Sequence, residues 1–278
     1  MAESAAEAQV RRAAWRATGG IKAPAAAATG SFLTVQALRA VAALLVVAHH
    51  AFEMWEARIT PDAPGPSWTN GASGVDIFFV ISGFVMVIAS RRILARPHAA
   101  RIFMEHRVAR IVPLYWLLTT AKLALVLLFS GLALRSTLDL DYVARSYLFL
   151  PLVDSAGHFR PLLPVGWTLT YEFLFYLLFA LALGLRADVL RVLVPAFVII
   201  VMLALLRSAS WPAWTILFST IVVEFLFGVL IAKATLRGFT LPPMLAALMV
   251  LAGFTLILTI PEGSENLRVL TWGLPAFA

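Results

Sequence analysis

The stretch from Leu33 to Phe52, LTVQALRAVAALLVVAHHAF, limits the possible folds of this chain more than any other part of it. The hydrocarbon core of a bilayer takes about 20 apolar helical residues, so the stretch predicts a membrane-spanning helix. It also contains Arg39 near its start and His49 and His50 near its end. Ionisable side chains at such depth are costly and usually face a protein interior or a watery cavity. The alternative is that Arg39 snorkels and the histidines sit among the lipid headgroups.

Composition places the whole chain in the same class. Hydrophobic residues make up 61% of the sequence and charged residues only 13%, and the mean hydropathy is +0.89. These values predict an all-α, polytopic transmembrane helical bundle. The absence of cysteine excludes disulfides, thiolate metal sites and a cysteine nucleophile. The net charge of +7 does not indicate a nucleic-acid partner, because the basic residues lie mostly in short loops between apolar segments.

The apolar segments divide the chain into about seven complete spans and the start of an eighth. Residues 1–32 are rich in alanine and predict a flexible cytoplasmic tail, and 33–278 predict the transmembrane domain. A short apolar patch near 147–153 is too short to cross a membrane and predicts an interfacial or re-entrant segment. The spans are predicted at 33–52, 72–90, 111–130, 166–185, 189–206, 213–232 and 241–260, with a further start near Leu267.

The distribution of basic residues predicts the orientation. With the N-terminus in the cytoplasm, the inner segments carry more than twice as many lysines and arginines as the outer loops. The positive-inside rule therefore favours a cytoplasmic N-terminus and a cytoplasmic basic loop at 91–110.

In that orientation three ionisable residues lie towards the outer ends of their spans: His50, Asp76 and Glu172. A carboxylate beside a histidine can orient the imidazole and keep it basic, as a general base for a hydroxyl nucleophile requires. A structural hydrogen bond between His50 and Glu172 is the alternative for the pair. Three such groups at one depth favour a catalytic site over packing alone.

The basic loop supplies a candidate phosphate site on the inner side. Arg107 and Arg110, three residues apart, would share a helical face outside the apolar core and could fork onto phosphates. Attraction to anionic lipids explains most of the loop's charge equally well. Gly83 is interpreted as a helix-packing glycine, and Ser82 as a hydrogen-bonding residue rather than a nucleophile. The spacing of the remaining histidines indicates no metal site.

Four motifs in this order resemble the acyltransferase 3 family of integral-membrane O-acyltransferases, in particular its exopolysaccharide-acetylating branch. The resemblance covers almost all of the chain from Leu33. The motifs are Arg39 and His50 with ten residues between them, GVDIFFVISGF at 74–84, Arg107 and Arg110 followed by IVPLYW, and WTLTYEFLFY at 167–176.

The resemblance implies transfer of an acyl group, usually acetyl, from cytoplasmic acetyl-CoA to a glycan hydroxyl outside the bacterial inner membrane. It implies that Arg107 and Arg110 hold the coenzyme A phosphates and that Arg39 lines the acyl path. His50, helped by Glu172, would activate the acceptor. Asp76, Ser82, Trp167 and Tyr171 are the candidate substrate-binding residues.

The expected partners are a glycan or lipid-linked sugar, membrane lipids and other polysaccharide biosynthesis proteins, with no metal and no nucleic acid. The chain departs from the family pattern in two ways. Many members have an acidic residue where Gln36 stands. Members usually have about ten spans, so the resemblance implies a shortened chain or a fragment that lacks C-terminal helices.

Two other functions use the same features. A transporter or flippase for lipid-linked sugars would bind a polar solute with the same buried charges, without covalent chemistry. A non-catalytic scaffold within a polysaccharide machine is the third possibility. Consumption of a thioester separates acyl transfer from transport.

Overall fold

The computed structural model describes residues 27–59, 68–128, 139–152, 159–208, 210–264 and 267–278. All regular structure in these ranges is helical, which confirms the predicted all-α class. The predicted tail 1–32 lies outside the described residues except for its last six. The α-helices are α1 Ala27–Arg58, α2 Gly74–Ser90, α3 Ala99–Leu128, α4 Leu140–Tyr147, α5 Gly166–Gly184, α6 Val189–Leu206, α7 Val222–Leu236, α8 Pro243–Thr259 and α9 Leu274–Phe277.

Six helical segments are long and apolar enough to cross a membrane, and they correspond to the first six predicted spans. They are Leu33–Glu56, Asn70–Ser90, Ala99–Leu128, Gly166–Gly184, Val189–Leu206 and Ala213–Leu236. The seventh predicted span is the shorter apolar helix α8, which has 17 residues. The predicted eighth start contains a π-helical turn, Val269–Gly273, followed by α9. The chain is therefore a multi-pass helical membrane protein.

The basic segment 91–110 differs from the prediction of a loop. Only residues 91–98 are non-helical, and α3 begins at Ala99, directly after Pro97 and His98. Charge alone does not oppose helix formation, and arginine is a good helix former. An ion pair at i, i+4, with Arg101 Nε 2.7 Å from Glu105 Oε1, further supports this first part of α3. The helix thus extends beyond the apolar stretch that predicted the span.

The described chain forms two compact units. One unit comprises Arg92–Ser219 and contains α3 to α6. In it, α5 packs against both α3 and α6. The other unit joins the described residues before Arg92 to Thr220–Ala278. There, α2 packs against α1 and, most extensively, against α7.

The contact between α2 and α7 depends on two glycines that face each other's backbone. A Cβ at Gly83 would overlap the carbonyl oxygen of Phe225, and a Cβ at Gly228 would overlap that of Val80. The two helices therefore approach to backbone contact, as small residues allow in membrane proteins. The stacked rings of Phe79 and Phe225, 4.5 Å apart, flank this crossing. The interpretation of Gly83 as a packing glycine is confirmed.

In the first unit, α4 and the residues after it are tied to the middle of α3. The hydroxyl of Tyr115 donates to the Ser146 carbonyl at 2.9 Å. The indole Nε1 of Trp116 donates to the Tyr147 carbonyl, also at 2.9 Å. The apolar patch that begins at Tyr147 leaves the helix after this residue and continues as non-helical chain to Leu152. This segment is held against a spanning helix, and its interfacial or re-entrant position stays a prediction.

Candidate functional site

A pair of histidines shares one carboxylate near the C-terminal end of α1. His50 Nδ1 lies 2.9 Å from Glu53 Oε2, which is hydrogen-bond distance. His49 Nε2 lies 3.8 Å from the same oxygen, too far for a hydrogen bond. The His50 side chain is 42% exposed and that of His49 17%. The imidazole that is hydrogen-bonded to the carboxylate, and the more accessible of the two, is therefore that of His50.

The difference between the two histidines follows from how α1 packs. A Cβ at Gly71 would lie 2.5 Å from the Leu45 carbonyl oxygen and 2.9 Å from the His49 Cβ, so His49 faces the short helical turn Asn70–Ser73. The Nδ1 atom of His49 is buried and has no hydrogen-bond partner among the described residues. Consecutive helical residues differ by about 100° in direction, so His50 leaves α1 on another side.

The ligand atoms of His49, His50 and Glu53 lie within 4.8 Å of one another, a spacing that a metal ion could bridge. The hydrogen bond between His50 and Glu53 accounts for the arrangement without an ion. The expectation that the protein uses no metal stays a prediction.

Arg39, half-buried on the same helix, lies eleven residues before His50. At 1.5 Å per residue this separation is about 16 Å along the helix axis.

Asp76 lies in a buried ionic cluster in the same unit. Its carboxylate is fully buried and accepts from Arg268 at two points, with Nε 3.1 Å from Oδ1 and Nη2 2.7 Å from Oδ2. Arg268 also donates to Glu262 and to the Ala72 carbonyl. The ring of Trp272 lies 4.7 Å from the guanidinium carbon. The sequence favours a site role for Asp76 over packing alone, whereas the structure gives this residue a structural counter-ion.

A second acid in this cluster, Glu224 on α7, was not predicted from the sequence. It is fully buried beside Asp76 and Arg268. Glu224 also explains why residue 273 is a glycine, since a Cβ at Gly273 would lie 2.8 Å from Glu224 Oε1. The available signal was a lone glutamate inside the apolar span 213–232.

In the other unit, Arg107 and Arg110 differ from each other. Arg107 is only 9% exposed, and its guanidinium carbon lies 5.4 Å from the centre of the Phe103 ring. Its charged and polar neighbours include Tyr176, Arg110 and Glu172. Arg110 is exposed. The expectation that both arginines lie outside the apolar core is wrong for Arg107, because α3 turns this residue towards the aromatic face that packs on α5.

The buried Arg107 side chain retains one donor. Its Nε atom has no hydrogen-bond partner in the part of the chain that the structure describes. A buried, unpaired donor on a cation, with an exposed arginine three residues away, fits the binding of an anionic group such as a phosphate.

Glu172 and Tyr176 are paired one turn apart on α5. The Tyr176 hydroxyl donates to Glu172 Oε1. Tyr176 is nearly fully buried, with its ring edge-on to that of Phe103. The predicted partnership of Glu172 with His50 would join the two units and stays a prediction. The carboxylate that contacts His50 within its own unit, Glu53, was missed, although the spacing H-H-x-x-E was visible in the sequence.

The candidate substrate-binding residues differ in burial and in the contacts that they make. Tyr171 is buried, and its hydroxyl donates to the Ile216 carbonyl at 2.6 Å. The Trp167 ring lies edge-on to Tyr171, with centroids 6.0 Å apart. Ser82 is half-buried on α2. Roles for Ser82, Trp167 and Tyr171 in binding substrate stay predictions.

Comparison with known proteins gives two matches. The model of the acyltransferase 3 family, described as an acyltransferase domain, matches residues 32–278. The exopolysaccharide production protein ExoZ of Rhizobium meliloti (strain 1021) is 37% identical over 202 residues. That alignment covers 69% of this chain and 61% of ExoZ, so the chain spans less than two thirds of the relative's length. No solved structure matches the chain at a significant level.

Proposed function

The chain belongs to the acyltransferase 3 family, and on that premise we propose that it moves an acyl group, most simply acetyl, from cytoplasmic acyl-CoA to a hydroxyl of an extracytoplasmic polysaccharide. The similarity to a protein named for exopolysaccharide production supports the acceptor class. Within the structure, the observation that best supports acyl transfer is the accessible His50 imidazole, which is hydrogen-bonded to a carboxylate on a membrane helix.

His50 acts as the general base for the acceptor hydroxyl. As the hydroxyl oxygen forms its bond to the thioester carbonyl carbon, the proton passes to the imidazole. The carbon–sulfur bond then breaks, and the leaving thiolate takes the proton back. The products are the glycan ester and free coenzyme A. Base assistance of this kind is typically worth about 10² to 10⁴ in rate.

The donor is held through its phosphates by Arg107 and Arg110. The unpaired Nε of Arg107 and the exposure of Arg110 support this role. Guanidinium groups suit phosphates because their planar fork can donate two parallel hydrogen bonds. Arg39, part-way along α1, lines the acyl path, and Ser82, Trp167 and Tyr171 contribute to the acceptor site.

The protein acts in the bacterial inner membrane with its N-terminus in the cytoplasm. The positive-inside distribution of lysine and arginine supports this orientation. It gives the arginines near the start of α3 access to cytoplasmic acyl-CoA. The acceptor is a polysaccharide or its lipid-linked precursor, made by other proteins of the same machinery.

The experiment that tests this function measures both the acylation of the glycan and the consumption of acetyl-CoA. Surface glycans from cells with and without the gene are compared by mass spectrometry, and purified protein in vesicles is assayed for thiol release from acetyl-CoA. The proposal expects acetyl esters that depend on the gene and one thiol released per ester formed. A lipid-linked sugar that changes sides without loss of thioester would overturn it in favour of a flippase.

A further inference from the structure

We propose that Glu53 is the positioning residue of this reaction: it holds the His50 imidazole with the proton on Nδ1, so that Nε2 is the nitrogen that accepts the acceptor's proton. The role in the reaction rests on the proposed function, whereas the tautomer of His50 can be tested without it.

The chemistry of the two groups dictates the tautomer. An ionised carboxylate only accepts hydrogen bonds, so an imidazole nitrogen bonded to it must be the donor. Because His50 Nδ1 lies 2.9 Å from Glu53 Oε2, the proton of the neutral ring resides on Nδ1. The lone pair is then on Nε2, on the opposite edge of the ring. An orienting carboxylate on one nitrogen and a basic lone pair on the other is the arrangement of general-base histidines.

The same contact selects between the two adjacent histidines. Glu53 Oε2 is at hydrogen-bond distance from His50 but 3.8 Å from His49 Nε2. His49 packs against Gly71 and exposes little of its ring. The structure thus gives a reason why the base is His50, which the sequence motif alone does not supply.

The pairing also needs no other element of the fold. His50 and Glu53 are three residues apart on one continuous helix, α1, so their side chains are neighbours on its surface. The pairing therefore does not depend on how α1 packs against other helices.

The first test reads the tautomer directly. The chain has five histidines, so ¹³C,¹⁵N-histidine labelling of the intact protein in lipid gives few ring signals, and His50→Asn identifies those of His50. Correlation through Cδ2, which is bonded to Nε2, tells the two ring nitrogens apart. We expect the proton on Nδ1 in the parent protein. In Glu53→Ala this preference should be lost, and in Glu53→Gln it should be kept, because the amide oxygen can still accept from Nδ1. A parent His50 protonated on Nε2 would overturn the inference.

The second test follows the rate. Glu53→Ala should lower kcat for glycan acylation by on the order of 10², with little change in KM, because Glu53 acts through His50 and does not touch substrate. Glu53→Gln should recover part of this loss. The matched control is Glu56→Gln, since Glu56 is six residues, or about 9 Å along α1, from His50. Its kcat should equal that of the parent.

The outcomes separate this inference from the proposed function. If His50→Asn is inactive while Glu53→Ala keeps the full kcat, the function stands and the positioning role falls. If the parent transfers no acyl group, the proposed function falls, and the tautomer measurement still decides the structural part. Activity lost to a chelator and restored by Zn²⁺ would overturn the inference, because His49, His50 and Glu53 would then serve as metal ligands.

Discussion

Asp76 and Arg268 form a buried, two-point ion pair across 192 residues of sequence. It ties the first turn of α2 to the residue that precedes the π-helical turn. Together with the bonds from Asn70 Nδ2 to the Ile257 and Ile260 carbonyls, both 2.8 Å, it holds the C-terminal part of the chain against the turn that packs on His49. The pair therefore supports the surroundings of the candidate base without contacting it.

Breaking this ion pair should destabilise the protein strongly. Arg268→Met leaves the buried Asp76 carboxylate without its counter-ion, which typically costs about 3–5 kcal/mol. Asp76→Leu should cost less, because Arg268 keeps its bond to Glu262. The double variant removes both charges and should recover much of the loss. Thermal unfolding in detergent measures the effect, with Arg191→Met, at an exposed position in another part of the chain, as the control. Equal losses in the single and double variants would contradict the pairing.

Substitutions of Arg107 and Arg110 should separate stability from donor binding. Arg110→Ala removes an exposed side chain and should weaken acyl-CoA binding with a change in stability within about 0.5 kcal/mol. Arg107→Ala should weaken binding and also lower the unfolding temperature, because its guanidinium packs on Phe103. Lysine should rescue binding only in part. Calorimetry and thermal unfolding give the two readouts, with the exposed Arg101→Ala as the control. Unchanged acyl-CoA binding in both alanine variants would contradict the donor-binding role and leave these arginines only the role of setting the membrane orientation.

Gly83 should tolerate no side chain. In Gly83→Ala the new Cβ would meet the backbone carbonyl of Phe225, which cannot move without shifting α7. Overpacking of this kind typically costs about 1–3 kcal/mol. Ala89→Val, at an exposed position of the same helix, is the control and should unfold at the parent's temperature. A stable Gly83→Ala would show that α2 and α7 are not in backbone contact.

Single cysteines should report the orientation, since the native chain has none. His98→Cys and Leu140→Cys introduce thiols at exposed positions and leave every lysine and arginine in place. With the N-terminus inside, a membrane-impermeant reagent added to intact cells should label only position 140. Labelling of position 98 alone would reverse the topology and remove the cytoplasmic donor site.

The sequence predicts the helical class and the positions of the spans because apolar length is a local property. It predicts less well where a helix begins, as at Ala99, because the hydropathy of a basic segment does not reveal whether it is helical. The partnership of Asp76 with Arg268 depends on chain folding over 192 residues and leaves no local signal. Burial of Arg107 likewise depends on the helix packed against it. Glu53, by contrast, follows from helical spacing alone and could have been predicted.

The rate of glycan acylation by His50→Asn, compared with His49→Asn in the same vesicles, tests the account most directly. Asparagine can still donate to Glu53 but cannot act as a base, so the His50 variant should remain folded and bind acyl-CoA. Its acylation rate should fall by about 10² to 10⁴, whereas His49→Asn should stay close to the parent rate. Parent-like acylation by His50→Asn, or equal losses in the two variants, would contradict the assignment of His50 as the base.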